Sequence, residues 1–221
     1  QHMFYANGAG TGNHIFENST FIQNGAFDVI QMTQVSYITV RNCTIQHSSG
    51  HVNVSGIMVN DDASNFTISD NYISISNNAL GSSCITLKGG TTGTITGNTL
   101  VNGDNGVFNT VGANTGWTMS NNFFCKNNYG IHNTHSLSNT VTNNSFYNAK
   151  RCMYGEAANC LKSWTITGNA FYTYSTSSAD ACIVLDNAAS DPTTLNNNIY
   201  WHPYDAVAGI RNAIPYSNLA A

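Results

Sequence analysis

The chemistry available to this chain rests on few residues. Its 221 residues include only seven Lys plus Arg, eleven Asp plus Glu and seven His. Four residues stand out by position: His132, Tyr154, Glu156 and Asp186. His132 and Tyr154 each lie two residues after a small residue that precedes an apolar one, in Gly130-Ile131 and Cys152-Met153. Glu156 and Asp186 each lie four residues after such a residue, Cys152 and Cys182. A His beside a Tyr supplies a base and an acid for β-elimination from a uronic acid. Two carboxyl groups about 5 Å apart suit retaining glycoside hydrolysis, one held protonated by the other's charge. Phe108 shares the first position and offers an aromatic face to a sugar. Lys88 and Asn60 share the second, where Lys88 can meet a substrate carboxylate. Arg211 completes the substrate-binding set, three coils from His132 and too far to assist it directly. The competing readings are an aromatic ladder that merely supports a sheet and two solvated acids at a turn.

These residues matter only if the chain brings them together, and a repeat predicts that it does. The unit is Thr, apolar, polar, any residue, Asn, any residue, apolar. Clear copies are Thr94-Ile-Thr-Gly-Asn-Thr-Leu100, Thr140-Val-Thr-Asn-Asn-Ser-Phe146 and Trp164-Thr-Ile-Thr-Gly-Asn-Ala-Phe171. Aligned on the two apolar residues, eight copies put Ser19, Cys43, Asn71, Asn98, Asn122, Asn144, Asn169 and Asn198 in one column. Successive copies are 22 to 29 residues apart, within the range of solenoid repeats. Between them, pairs from Ala26-Phe27 through Gly56-Ile57, Cys84-Ile85 and Gly106-Val107 to Gly209-Ile210 open segments of period two, which is a strand signal. The count aligns Asp28 and Ile30 with Met58 and Asn60, and Arg211 with Val184. Three short strands per repeat leave no room for a helix. The expected fold is all-β, a single solenoid of about eight coils stacked about 4.8 Å apart. The column from Phe16 through Val40 and Ile68 to Leu195 points inward, as does that from Phe21 through Ile45 and Ile73 to Tyr200. The column Asn sits at a bend, where Asn tolerates the left-handed conformation and its amide can bond the Asn above and below.

This repeat resembles the pectate-lyase-like superfamily of right-handed parallel β-helices, whose coils carry an asparagine ladder. The resemblance covers about residues 14 to 212, with 213–221 as a tail and 1–221 as one domain of a longer chain. It implies that the strand beginning at the small residue belongs to the sheet called PB1, which carries the polysaccharide groove in enzymes of this fold. The expected function is recognition of a polysaccharide, with cleavage by a lyase or glycoside hydrolase mechanism. The alternative is a non-catalytic structural, adhesive or tailspike solenoid. The polygalacturonase set Asn-Thr-Asp, Asp-Asp, His-Gly and Arg-Ile-Lys is missing, as is the arginine-rich signature of pectate lyases. A remote alternative is ice binding by the outward column Thr39, Thr67, Thr94, Thr118, Thr140, Thr165 and Thr194, although Thr is an ordinary exposed strand residue.

Composition narrows the partners. Charged residues make 8% of the chain, against about 25% in an average domain. With a net charge of −4 there is no basic surface to hold nucleic acid. No apolar run reaches the roughly 18 residues of a membrane span, and no signal-peptide pattern opens the sequence. Weakly capped ends suggest a piece of a larger protein, or end-to-end or trimeric self-association. No cofactor is expected; Asp61-Asp62 beside Asn60 is a weak Ca²⁺ candidate, and no cysteine spacing suggests zinc. Six cysteines with so little charge suggest an extracellular or cell-surface setting. Cys160 is expected to be oxidised, paired with Cys152 or Cys182.

Overall fold

The computed structural model describes residues 2–89, 92–110, 116–135, 138–177, 179–203, 209–211 and 214–216, with the side chains of 9–11, 77, 188 and 209–216 excepted. The chain is a parallel β-solenoid with three sheets. Sheets B and C each hold eight strands, from Ile15–Glu17 to Thr194–Asn196 and from Thr20–Gln23 to Ile199–Trp201. Sheet A holds ten, among them Ser55–Asn60, Ser83–Lys88, Asn105–Thr110, Tyr129–Asn133, Arg151–Gly155 and Ile183–Leu185. Its last strand, Ile214–Tyr216, runs antiparallel to Gly209–Arg211.

The inward columns stack in register. Ile68, Ile95, Met119, Val141 and Ile166 follow one another in sheet B. Ile73, Leu100, Phe124, Phe146 and Phe171 do so in sheet C, where the Phe124 and Phe146 rings stack 4.4 Å apart. Nearly all are fully buried. Each contributes about 1.5–3 kcal/mol of transfer free energy, which drives winding in a chain with little charge to solvate.

The asparagine ladder runs from Asn71 to Asn198. Each Asn sends its backbone N–H and its side-chain Nδ2 to Oδ1 of the next, as in Asn122 to Asn144 at 2.9 and 3.0 Å. Nδ2 also donates to a backbone carbonyl of a neighbouring coil, Met119 O in the case of Asn144. The buried amides are thereby paired, which removes the cost of burying them. The left-handed residue is not the ladder Asn, as the sequence suggested, but the one before it. Asp70, Asn121, Asn143 and Asn197 have φ of 53° to 56°, and Gly97 and Gly168 have φ of 67° and 68°. The ladder Asn stays free of that strain and keeps its amide aimed along the stack. A second, shorter ladder escaped the sequence reading: Gly103 N donates to Asn127 Oδ1, and Asn127 donates through N and Nδ2 to Asn148 Oδ1. It closes the corner from sheet C to sheet A.

Three further expectations need correction. The first coil enters sheet A three residues late, so Gln31 and Thr33, not Asp28 and Ile30, stand beside Met58 and Asn60. Asp28 instead accepts from Ser55 N at 2.6 Å and pins the corner. In the last coil Arg211 stands beside Leu185, not Val184, and its side chain lies outside the described residues. Finally, all six cysteines are free thiols. Cys160 does not pair: its sulfur accepts from Ala157 N at 3.0 Å, while Cys152 and Cys182 turn into the core.

Candidate functional site on the outer face of sheet A

The geometry of sheet A places His132 beside Phe108 on one side and Tyr154 on the other. The imidazole centroid is 4.9 Å from each ring, so the three form a continuous stack. The acids join it across coils. Glu156 Oε2 lies 2.8 Å from His132 Nε2, and Tyr154 Oη donates to Asp186 Oδ2 at 2.5 Å. Each carboxylate is thus engaged with an aromatic partner one coil earlier, and two acid–base couples stand side by side.

Several residues that sequence reasoning passed over complete the site. Asn105 Oδ1 lies 3.1 Å from His132 Nδ1 and fixes the ring from behind. Tyr129 packs 5.2 Å from His132 and 5.5 Å from Tyr154. The Arg151 guanidinium lies 4.2 Å over the Tyr154 ring, with its Nε 3.3 Å from Asp180 Oδ1. Lys150 reaches to 5.6 Å over Tyr129. Asn105, Tyr129 and Arg151 each directly precede the small residue of their coil. Period-two counting misses them because the chain turns the corner there, so the two residues after Tyr129 are both buried. Their signal was the polar or aromatic residue just before the Gly or Cys in five successive coils, Ser55, Ser83, Asn105, Tyr129 and Arg151.

Electrostatics separates the two couples. Burial is the largest influence on His132 and lowers its pKa from 6.5, opposed by Glu156 and Asp104 and assisted by Arg151. The Tyr154 hydroxyl is pushed up to about 12, first by burial and then by Asp186, with Arg151 pulling the other way. At neutral pH Tyr154 is therefore a held proton.

Lys88 and Asn60 lie on the same face, two and three coils before His132, and are aligned with each other. Among the described residues no hydrogen bond or ion pair joins them to Phe108, His132 or Tyr154; Asn60 Nδ2 donates to Asp61 Oδ2 at 3.2 Å. Among the described residues no three His, Cys, Asp or Glu side chains gather as a metal cluster, at Asp61-Asp62 or elsewhere. No helix among them is long and apolar enough to cross a membrane.

A family model described as "Periplasmic copper-binding protein (NosD)" matches residues 5–181. The chain belongs to the NosD family. It is accordingly a member of the right-handed parallel β-helix superfamily, and the family's described location is outside the cytoplasm. No curated protein matches this NosD-family chain.

Proposed function

We propose that the outer face of sheet A binds a polysaccharide outside the cytoplasm and cleaves it by proton transfer from the sugar to His132–Glu156 and from Tyr154, held by Asp186, to the leaving oxygen. The observation that carries this reading is the pair of hydrogen-bonded couples on adjacent coils, 4.9 Å apart at their rings. A base depressed by burial and a phenol that keeps its proton divide the roles. The His132–Glu156 couple accepts a proton from the sugar carbon next to a carboxylate. Tyr154 gives one to the leaving oxygen, and Arg151 over its ring offsets the phenolate charge that develops. Lys150 and Lys88 supply positive charge along the same face for an acidic chain, with Asn60 beside Lys88.

The test is a screen of acidic and neutral polysaccharides for new reducing ends and for ultraviolet absorbance of unsaturated ends, beside a glycan array. Unsaturated ends support elimination; reducing ends without unsaturation move the chemistry to hydrolysis by Glu156 and Asp186. Binding without cleavage leaves a non-catalytic recognition solenoid. A structural solenoid that binds no sugar at this face has its own support, because the aromatic faces are largely consumed by one another. The absence of both binding and cleavage overturns the proposal.

Copper is the ligand that the family description offers. The donors of this chain do not fit it: no three His, Cys, Asp or Glu groups come together among the described residues.

A further inference from the structure

All six cysteines, all seven histidines and all five methionines fall within the described residues, so the placement of every soft donor is known. From that placement we infer that this chain does not carry the copper-binding property described for its family.

The best candidate is Cys152 with Cys182. They stand on adjacent coils, Cys152 in the strand Arg151–Gly155 and Cys182 just before Ile183–Leu185. Cys152 N donates to Cys182 O at 3.1 Å, and both are fully buried. Two thiolates are a reasonable copper(I) ligand set by softness alone. Binding would release both thiol protons and leave a complex of net charge −1 in the core. The surroundings oppose that charge. The Cys152 thiol donates to Tyr172 O at 3.4 Å, and the Cys182 thiol donates to Phe171 O and Trp201 O at 3.6 and 3.2 Å. Besides these carbonyl oxygens, the Cys152 sulfur meets the Asn148 amide and the Cys182 sulfur. The bond from Cys152 draws the Cys182 thiol down, while burial and then Cys182 hold the Cys152 thiol well up, so the pair favours one charge and opposes the second that a dithiolate needs. Both cysteines also belong to the buried apolar core, where an unpaired charge is costly. Cys84, in the same column, donates to Ile73 O and Val101 O in the same way. These cysteines fill the corner position that Gly holds in other coils and pack as small apolar residues.

The histidines are committed or scattered. His132 has its two ring nitrogens at Asn105 and Glu156. His47 has its own at Phe27 O and Ser49 Oγ. His135 meets Thr134, and His2 faces Asp28. Copper(II) needs several nitrogen or oxygen donors in one tetragonal set, and no three such His or acid groups converge among the described residues.

The test uses the whole, fully reduced chain. Copper(I) is titrated without oxygen against a chromogenic copper(I) chelator, and copper(II) against a chelating dye, with thiols counted before and after. The expected result is that the chelators take all the metal, as in a protein-free control, and that six thiols remain. One equivalent of either ion withheld from its chelator overturns the inference. Loss of that binding in the Cys152→Ser/Cys182→Ser variant would then place the metal at the buried pair. The outcome is independent of whether a glycan binds sheet A.

Discussion

His132 and Glu156 meet across adjacent coils at 2.8 Å, the His side chain 15% exposed and the Glu side chain 52% exposed. One partner is thus held in the sheet while the other reaches solvent. Asn105 behind the ring leaves the imidazole little freedom to turn. The behaviour of this pair with pH follows from the direction of the His132 shift.

Burial lowers the His132 pKa below the unfolded value of 6.5. In the window between the two values the unfolded chain binds more protons, so stability rises with pH there. The contribution is fully present above pH 6.5 and is lost as pH falls through the folded value. Melting temperature should therefore fall between pH 7 and pH 5. The His132→Gln variant should show a shallower fall over the same range, with Glu156, Asp104 and Arg151 unchanged around it. Parallel curves for the two proteins would show that His132 does not titrate in the folded state as its burial requires.

Tyr154→Phe keeps the ring stacked on His132 and under Arg151, and removes only the hydroxyl that bonds Asp186. Turnover on a cleaved polysaccharide should drop about 10²-fold or more, with binding nearly unchanged. If the chemistry is hydrolysis by Glu156 and Asp186, Tyr154→Phe should matter little. Glu156→Gln should then abolish cleavage, and the wild type should yield no unsaturated ends.

The ladder makes a stability prediction. Asn144 Oδ1 accepts from Asn122 N and Nδ2, and its own Nδ2 donates to Asn169 Oδ1, Met119 O and Thr142 O. Asn144→Ala strands several buried partners and should cost about 1–3 kcal/mol, read from denaturant unfolding. Thr140→Ala, on the outer side of the same coil, should stay within about 0.5 kcal/mol.

How much of this was legible in the sequence depends on what each residue answers to. The inward columns and the ladder are dictated by local sequence: an apolar side chain every second residue and an amide that must meet another. Both were placed correctly from Ile68 to Phe171. The left-handed turn was misplaced by one residue, because Asn recurs at the ladder position and Asn, Asp or Gly at the one before it, and only the backbone separates them. Ala26-Phe27 imitates the small–apolar signal, yet Asp28 holds the corner and delays the strand to Ile30. Nor could spacing show that Glu156 turns to His132 and Asp186 to Tyr154, since that choice is made by side-chain reach across coils. Cysteine spacing likewise suggested a bond where the fold supplies a hydrogen-bond donor, Ala157 N, to the Cys160 sulfur.

That last difference is directly measurable. Alkylation of the non-reduced, denatured chain followed by mass spectrometry should find Cys160 modified, along with the other five thiols. A disulfide-linked Cys160 peptide would contradict the structure and restore the bond that the sequence suggested.

The corner glycines give the last prediction. A Cβ built on Gly106 would approach Gly130 O and Phe124 Cδ1 at 2.6 Å each. Both are fixed, the first by the parallel ladder of sheet A and the second by the stacked Phe124–Phe146 rings, so neither can yield cheaply. Gly106→Ala should destabilise the solenoid by about 1–3 kcal/mol, the usual cost of overpacking. Gly50, on which a Cβ meets nothing within 4 Å, should tolerate Ala with little effect. Equal melting temperatures for the two variants would mean that the coils can slide apart at this corner. The stack that sets Phe108, His132 and Tyr154 at 4.9 Å spacing would then be looser than the packing beneath it requires.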